Sequence, residues 1–198
     1  MRNLGQVVEN EMVLAFLQAE IDSARFGHIY AAILANSRVR RESLIDQPDR
    51  QSDRDNSIRT ELLTVVRGFG NRTLLFQLFP PDVIWRRAVL EAADLHTLIY
   101  ANHETWRQLS GGSRRVTDGA RNVEAFSEVN VRENTNAVLQ AYRAGKRYPP
   151  LIGVDGPGHS IILVEGHTRA TAYVLGQAEE PIEALVGSSP RMEEWAYY

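Results

Sequence analysis

Four aliphatic residues stand in a row at Ile161-Ile162-Leu163-Val164. The polarity then switches over Glu165-Gly166-His167-Thr168-Arg169, before Ala170, Ala172, Val174 and Leu175 resume at helical spacing. An unbroken apolar run of this length reads as a strand buried on both faces, and the change of period reads as a turn that opens a helix. Upstream, Leu151–Val154 and Ser160–Val164 flank Asp155-Gly156-Pro157-Gly158, which predicts a hairpin delivering the chain to that turn. Gly176 closes the helix, and residues 181–186 read as a last strand.

The rest of the chain is more helical. Val8, Met12, Ala15, Phe16, Ala19 and Phe26 keep a helical stripe that predicts one or two helices over residues 7–35. In that reading Glu9, Glu11, Gln18, Glu20 and Asp22 fall largely off the stripe, and His28 is structural. Residues 46–56 form a polar run that reads as an exposed loop. A helix follows from Ser57 to Arg67, stopped at Gly68. Thr73–Phe79 reads as a strand ended by Pro80-Pro81, Val83–Leu90 as a strand or a helix with strand favoured, and Ala92 to Tyr100 as a helix. Residues 118–125 and 134–144 carry helical stripes, and Trp195, Tyr197 and Tyr198 at the tail are able to fold back on the core. The expected class is α+β: a small mixed sheet with packed helices, divided into a mostly helical extension over residues 1–80 and a sheet domain over 81–198.

Composition narrows the chemistry. The 198 residues are 43% hydrophobic with a net charge of −3, so bulk electrostatics gives no case for nucleic acid. There is no cysteine, which excludes disulfides, thiolate catalysis and cysteine-held metals and fits a reducing cytoplasm. No apolar run is long enough to span a membrane, and the first residues lack the apolar centre of a signal peptide. A cytoplasmic protein with no membrane partner is expected.

The turn after Val164 holds the densest chemistry. A strand ending in glycine and opening a helix directs free backbone N–H groups at whatever lies above it, and the helix dipole favours an anion there. Arg169 adds a planar fork of donors suited to phosphate. Gly166, Thr168 and Arg169 are thus candidate phosphate contacts, with an ordinary capped helix start as the alternative. A second candidate is Ser110-Gly111-Gly112-Ser113-Arg114, a small flexible loop whose N–H groups are able to wrap an anion, or equally a surface turn. It lacks the Lys-Ser/Thr ending of a P-loop.

In order, Pro149-Pro150-Leu151-Ile152-Gly153-Val154, the hairpin, Leu163-Val164-Glu165-Gly166-His167-Thr168-Arg169-Ala170 and Pro181-Ile182-Glu183-Ala184 resemble a ParB/sulfiredoxin-type domain over residues 83–187. In that superfamily a Gly-x-x-Arg turn opening a helix grips nucleotide phosphates. The resemblance implies ATP, ADP or CTP as ligand, with phosphate contact by Gly166 and Arg169. Glu165 takes the place of the acid in the Asp-Gly-His-x-Arg version of the motif, which is similar to the free-serine-kinase branch. Glu165 or His167 would then be the base towards a small hydroxylated substrate or water, with Mg2+ contacted by Glu165. The sulfiredoxin branch needs a cysteine in the turn, and this chain has none. The chromosome-partition branch carries a DNA-binding region after the domain, and here the sequence ends shortly after the motif helix. The expected activity is phosphotransfer or NTP hydrolysis. The alternative is a non-catalytic nucleotide-sensing or antitoxin-like module that meets a protein partner through the N-terminal helices. A nuclease is the weakest reading, since His96 and His103 form only a distant pair and no carboxylate cluster accompanies them.

Overall fold

The computed structural model describes residues 1–37 and 39–198. In chain order the elements are β1 (Arg2–Val7), α1 (Glu9–Glu20), α2 (Gly27–Ser37), α3 (Asp53–Arg67), β2 (Ile84–Leu90), β3 (Leu98–Ile99), α4 (Glu104–Leu109), α5 (Val116–Asn122), α6 (Val129–Arg143), β4 (Leu151–Asp155), β5 (Ile161–Glu165), α7 (His167–Leu175) and β6 (Ile182–Ser188). The architecture is α+β, as expected: one mixed sheet in the order β1-β2-β6-β4-β5-β3. Pairs β4·β6 and β5·β3 are parallel, and β1·β2, β2·β6 and β4·β5 are antiparallel.

Strand alternation sorts the apolar run of β5 onto two faces. Ile162 and Val164 join Ile152, Val154, Leu185 and Trp85 in a core with Met12, Phe16 and Leu63. Ile161 and Leu163 join Leu151, Ala184, Val186 and Ala88 in a second core with Val116, Ala170 and Tyr173. The run is therefore apolar throughout because both sides are covered, each aliphatic side chain contributing about 2 kcal/mol of burial. Residues 1–80 supply one of these layers, and β1 joins the edge of the sheet, so they share a core with residues 81–198.

Several local expectations are corrected. Strand β1 lay inside no expected element. Its exposed residues carry no alternation, and its place comes from backbone pairing with β2. Helix α3 begins at Asp53 rather than Ser57, because Ser52 accepts a hydrogen bond from the Asp55 N–H at 3.2 Å. The polar run before it is largely exposed, as expected, but its backbone is tethered. Buried Arg59 donates to the carbonyls of Leu44 (2.7 Å) and Asp49 (3.1 Å) and to Asn56 Oδ1 (2.6 Å). Residues 73–79 form a 3-10 turn over Leu74–Phe76 instead of a strand. The C-terminal tail satisfies this segment: Trp195 donates from Nε1 to the Leu75 carbonyl (2.8 Å) and the Ala196 N–H donates to the Gln77 carbonyl (3.0 Å). The helix expected over residues 92–100 is a 3-10 turn, Asp94–Thr97, followed by β3. Leu98 and Ile99 pair with Ile161 and Ile162, since the open edge of β5 offers ladder partners that a lone helix turn lacks. Among the described residues no helix is long and apolar enough to cross a membrane.

Candidate functional site at the start of helix α7

Helix α7 starts three residues earlier than its apolar pattern implied, at His167. Gly166 is its N-cap and takes the left-handed conformation, φ 95° and ψ 19°, with no side chain to cap the helix. A Cβ at this position would stand 2.5 Å from Leu151 Cδ2 and 3.1 Å from Arg169 Nη2. Glycine is required twice over, by conformation and by space. The N–H groups of His167, Thr168 and Arg169 form the first turn, where a helix has no carbonyls of its own to offer.

The two charged residues of the motif are joined. Arg169 and Glu165 form an ion pair, with side chains 8% and 18% exposed, and Arg169 also donates to the Pro149 carbonyl. The position of Glu165 at the end of β5 and of Arg169 four residues on dictates this pairing. Pro149-Pro150 bring unpaired carbonyls alongside because neither residue belongs to a strand.

His167 is neutral. Burial and the nearby charges of Arg67, His103, Arg169 and Arg114 push it down to about 3. Its Nε2 accepts a hydrogen bond from the Ala101 N–H at 3.3 Å, which leaves the proton on Nδ1. The ring stacks on Trp106, with centroids 4.9 Å apart and planes 11° apart, and Trp106 stacks in turn on Tyr100 at 5.1 Å. Tyr100 shares a 2.6 Å hydrogen bond with Thr171, and Thr171 donates to the His167 carbonyl at 2.8 Å. Burial pushes the Tyr100 phenol well above its usual range. Trp106 thus stacks on rings within the protein itself. Thr168 lies half-buried in the same turn.

The second candidate loop is built differently. Ser110 is buried; its hydroxyl donates to the Trp106 carbonyl at 2.8 Å and accepts from the Arg114 N–H at 2.9 Å. Ser113 Oγ lies 2.6 Å from the Asp118 carboxylate. Arg114 donates to the carbonyls of Tyr100 (2.9 Å), Tyr198 (2.9 Å) and Tyr197 (3.4 Å). Only Gly111 and Gly112, with φ of 62° and 91°, leave open space around them. The loop thus approaches the α7 turn through Trp106 and the charge of Arg114, while its hydroxyls and guanidinium are held by the protein itself.

Three residues near the site were not singled out by sequence. Glu20 is buried at the end of α1, and its carboxylate accepts from Tyr30 Oη at 2.8 Å and lies 3.3 Å from Arg67 Nε. Burial is the main cause that raises Glu20 to about 7, and the charge of Glu165 adds to it. Tyr30 is pushed far up by burial and by Glu20. The signal was present in the sequence: Met12, Phe16 and Glu20 recur every four residues, so Glu20 lies on the stripe and not off it.

Metal fit is poor. Among the described residues no three His, Asp or Glu side chains converge, and the Glu165 carboxylate faces a guanidinium. No family model, no curated protein and no solved structure matches this chain.

Proposed function

We propose that the α7 N-terminus binds the phosphates of a nucleotide, ATP, ADP or CTP, and supports phosphotransfer to a small hydroxyl acceptor or hydrolysis. The observation that carries this reading is an uncapped helix start set beside a guanidinium, with Arg169 Nη2 3.1 Å from where a Gly166 Cβ would stand. Arg67, Arg114 and Arg169, from separate segments, all act on His167, the first residue of α7. Arg169 and Arg67 are already paired with Glu165 and Glu20, so a polyanion is favoured where it takes the place of Glu165 beside the helix dipole.

In the unliganded protein Glu165 supplies the counter-charge for Arg169. A phosphate oxygen would replace it on the guanidinium and accept the first-turn N–H groups. The Glu165 carboxylate, so released, would take the proton of the acceptor hydroxyl or water as that oxygen bonds to the terminal phosphorus. The bond from phosphorus to the bridging oxygen breaks, and a nucleotide one phosphate shorter leaves. His167, with Nε2 engaged, contributes as an Nδ1–H donor to phosphate rather than as the base.

Isothermal titration with ATP, ADP and CTP, followed by a phosphate-release assay, tests the proposal. Binding and release are expected in the natural chain, and Glu165→Gln is expected to keep binding and lose release. Normal turnover in that variant would remove Glu165 as the base. Binding with no release under any acceptor would favour the sensor reading, which the closed Glu165–Arg169 pair also suits, since a ligand that breaks it changes the protein's own contacts.

A further inference from the structure

Trp85 leaves its indole N–H unanswered. The residue is 2% exposed, and Nε1 is buried and donates to no described residue. Trp195, equally buried, donates from Nε1 to the Leu75 carbonyl at 2.8 Å. A buried indole N–H ordinarily finds an acceptor, because it has left water to be there.

The direction of the ring is fixed. It stacks on Phe79, with centroids 6.4 Å apart and planes 15° apart. In the sheet Trp85 lies between Gly187 of β6 and Val7 of β1. A Cβ on Gly187 would meet Cζ3 and Cε3 of Trp85 at 3.1 and 3.2 Å, so the six-membered ring lies over β6. The opposite edge of the indole carries Nε1 and faces β1. There the two strands part. Val8 leads into α1, Val83 leads into β2, and an open groove of about 440 Å3 lies between them. Val7, Val8, Val83 and Ile84 wall it, and Trp85 and Glu9 complete the lining that matters here. Val8 and Ile84 are large and apolar yet 65% and 57% exposed. Glu11 is paired with Arg87 and approached by Arg50, whereas Glu9 pairs with no cation among the described residues.

Aliphatic walls, one unanswered donor and one unpaired carboxylate together suit a ligand that carries an aliphatic group, a carbonyl and an ammonium. We propose that this groove binds the free amino terminus of a peptide that begins with aliphatic residues. The ammonium meets Glu9, the first side chains cover Val8 and Ile84, and a peptide carbonyl accepts from Trp85 Nε1 as the side chains of the groove turn aside. The site shares no residue with the α7 turn and does not depend on that reading.

The test follows the indole N–H signals of the full chain by proton–nitrogen NMR as leucyl-leucinamide is added. Through-bond correlation to its own backbone assigns the Trp85 signal, so no variant of the core is needed. That signal should move downfield and saturate at millimolar peptide, with those of Trp106 and Trp195 still. N-acetyl-leucyl-leucinamide, which lacks the ammonium, should bind about tenfold more weakly. Glu9→Gln, a change at an exposed position, should weaken the free peptide about tenfold and leave the acetylated one within about twofold. Glycyl-glycinamide should bind about tenfold more weakly than the leucyl peptide for want of apolar area. An unmoved Trp85 signal overturns the inference, as does equal binding of the free and acetylated peptides or unchanged affinity in Glu9→Gln. A Trp85 signal that moves with protein concentration and not with peptide makes the groove an interface between copies of this chain, and overturns it too.

Discussion

The turn at 165–169 and the loop at 110–114 look alike as sequence, each pairing glycine with a hydroxyl and an arginine, yet the fold uses them in different ways. In the loop, Arg114 is bound to carbonyls of Tyr100, Tyr197 and Tyr198, and Ser110 and Ser113 are bound within the loop or to Asp118. In the turn, Arg169 donates to the Pro149 carbonyl and, unlike Arg114, also pairs with a carboxylate, Glu165, and the helix start above it has no side-chain cap. Carbonyl partners carry no charge that a phosphate could displace like for like, whereas a carboxylate is exchangeable for a phosphate oxygen. The same residue types therefore serve as a clasp for the C-terminal tail in one place and as a closed ion pair at an uncapped helix start in the other.

The largest effect that would break this comparison is expected at Arg169. Arg169→Ala leaves Glu165 partly buried without its partner and should cost about 3 kcal/mol or more in urea unfolding, with loss of detectable ATP binding. Unchanged binding would return the turn to a structural role. Arg114→Ala removes hydrogen bonds to carbonyls and should cost about 2 kcal/mol, while ATP affinity stays within about threefold. Limited proteolysis should then release Tyr197 and Tyr198 first. Abolished binding in Arg114→Ala would restore the loop as a ligand contact.

The pH dependence of stability sharpens the picture around the turn. His167 is held near 3 when folded against 6.5 in the unfolded chain, so it binds its proton more weakly when folded. Its contribution is present above the unfolded value and is lost as pH falls from 6.5 towards 3. Glu20, at about 7 against 4.5, has the opposite sign: its contribution is full below 4.5 and is lost as pH rises through 7. Urea midpoints between about pH 4 and pH 8 should therefore lose the acid-side decline in His167→Gln and the neutral-side decline in Glu20→Gln. The smallest effect is expected at Gly112→Ala: the positive φ costs about 1 kcal/mol, and nucleotide affinity is unchanged because the loop stands in open space.

Much of the C-terminal half was legible because its signals are local. Four consecutive aliphatics between turn residues mark β5, Asp155-Gly156-Pro157-Gly158 marks the hairpin, and Gly166 marks the helix start. What escaped depends on partners far along the chain. β1 exists through β2, β3 exists through β5, and the 3-10 turn at Leu74–Phe76 is held by the tail at Trp195. The site divides in the same way. Glu165, Gly166, His167 and Arg169 stand within five residues of sequence, whereas Glu20, Tyr30 and Arg67 come together only when α1, α2 and α3 pack. Pairing of Arg169 with Glu165 follows from the strand-to-helix geometry; no spacing rule announces that Ser110 and Arg114 will turn inward.

The central claim, that the start of α7 is where a phosphate sits, is tested most directly by following backbone amide resonances while ADP or pyrophosphate is added. The account predicts saturable shifts at His167, Thr168 and Arg169, with Glu165 responding alongside and Gly111 and Gly112 still. Shifts confined to residues 110–114, or no response at residues 167–169 at saturating ligand, would contradict it.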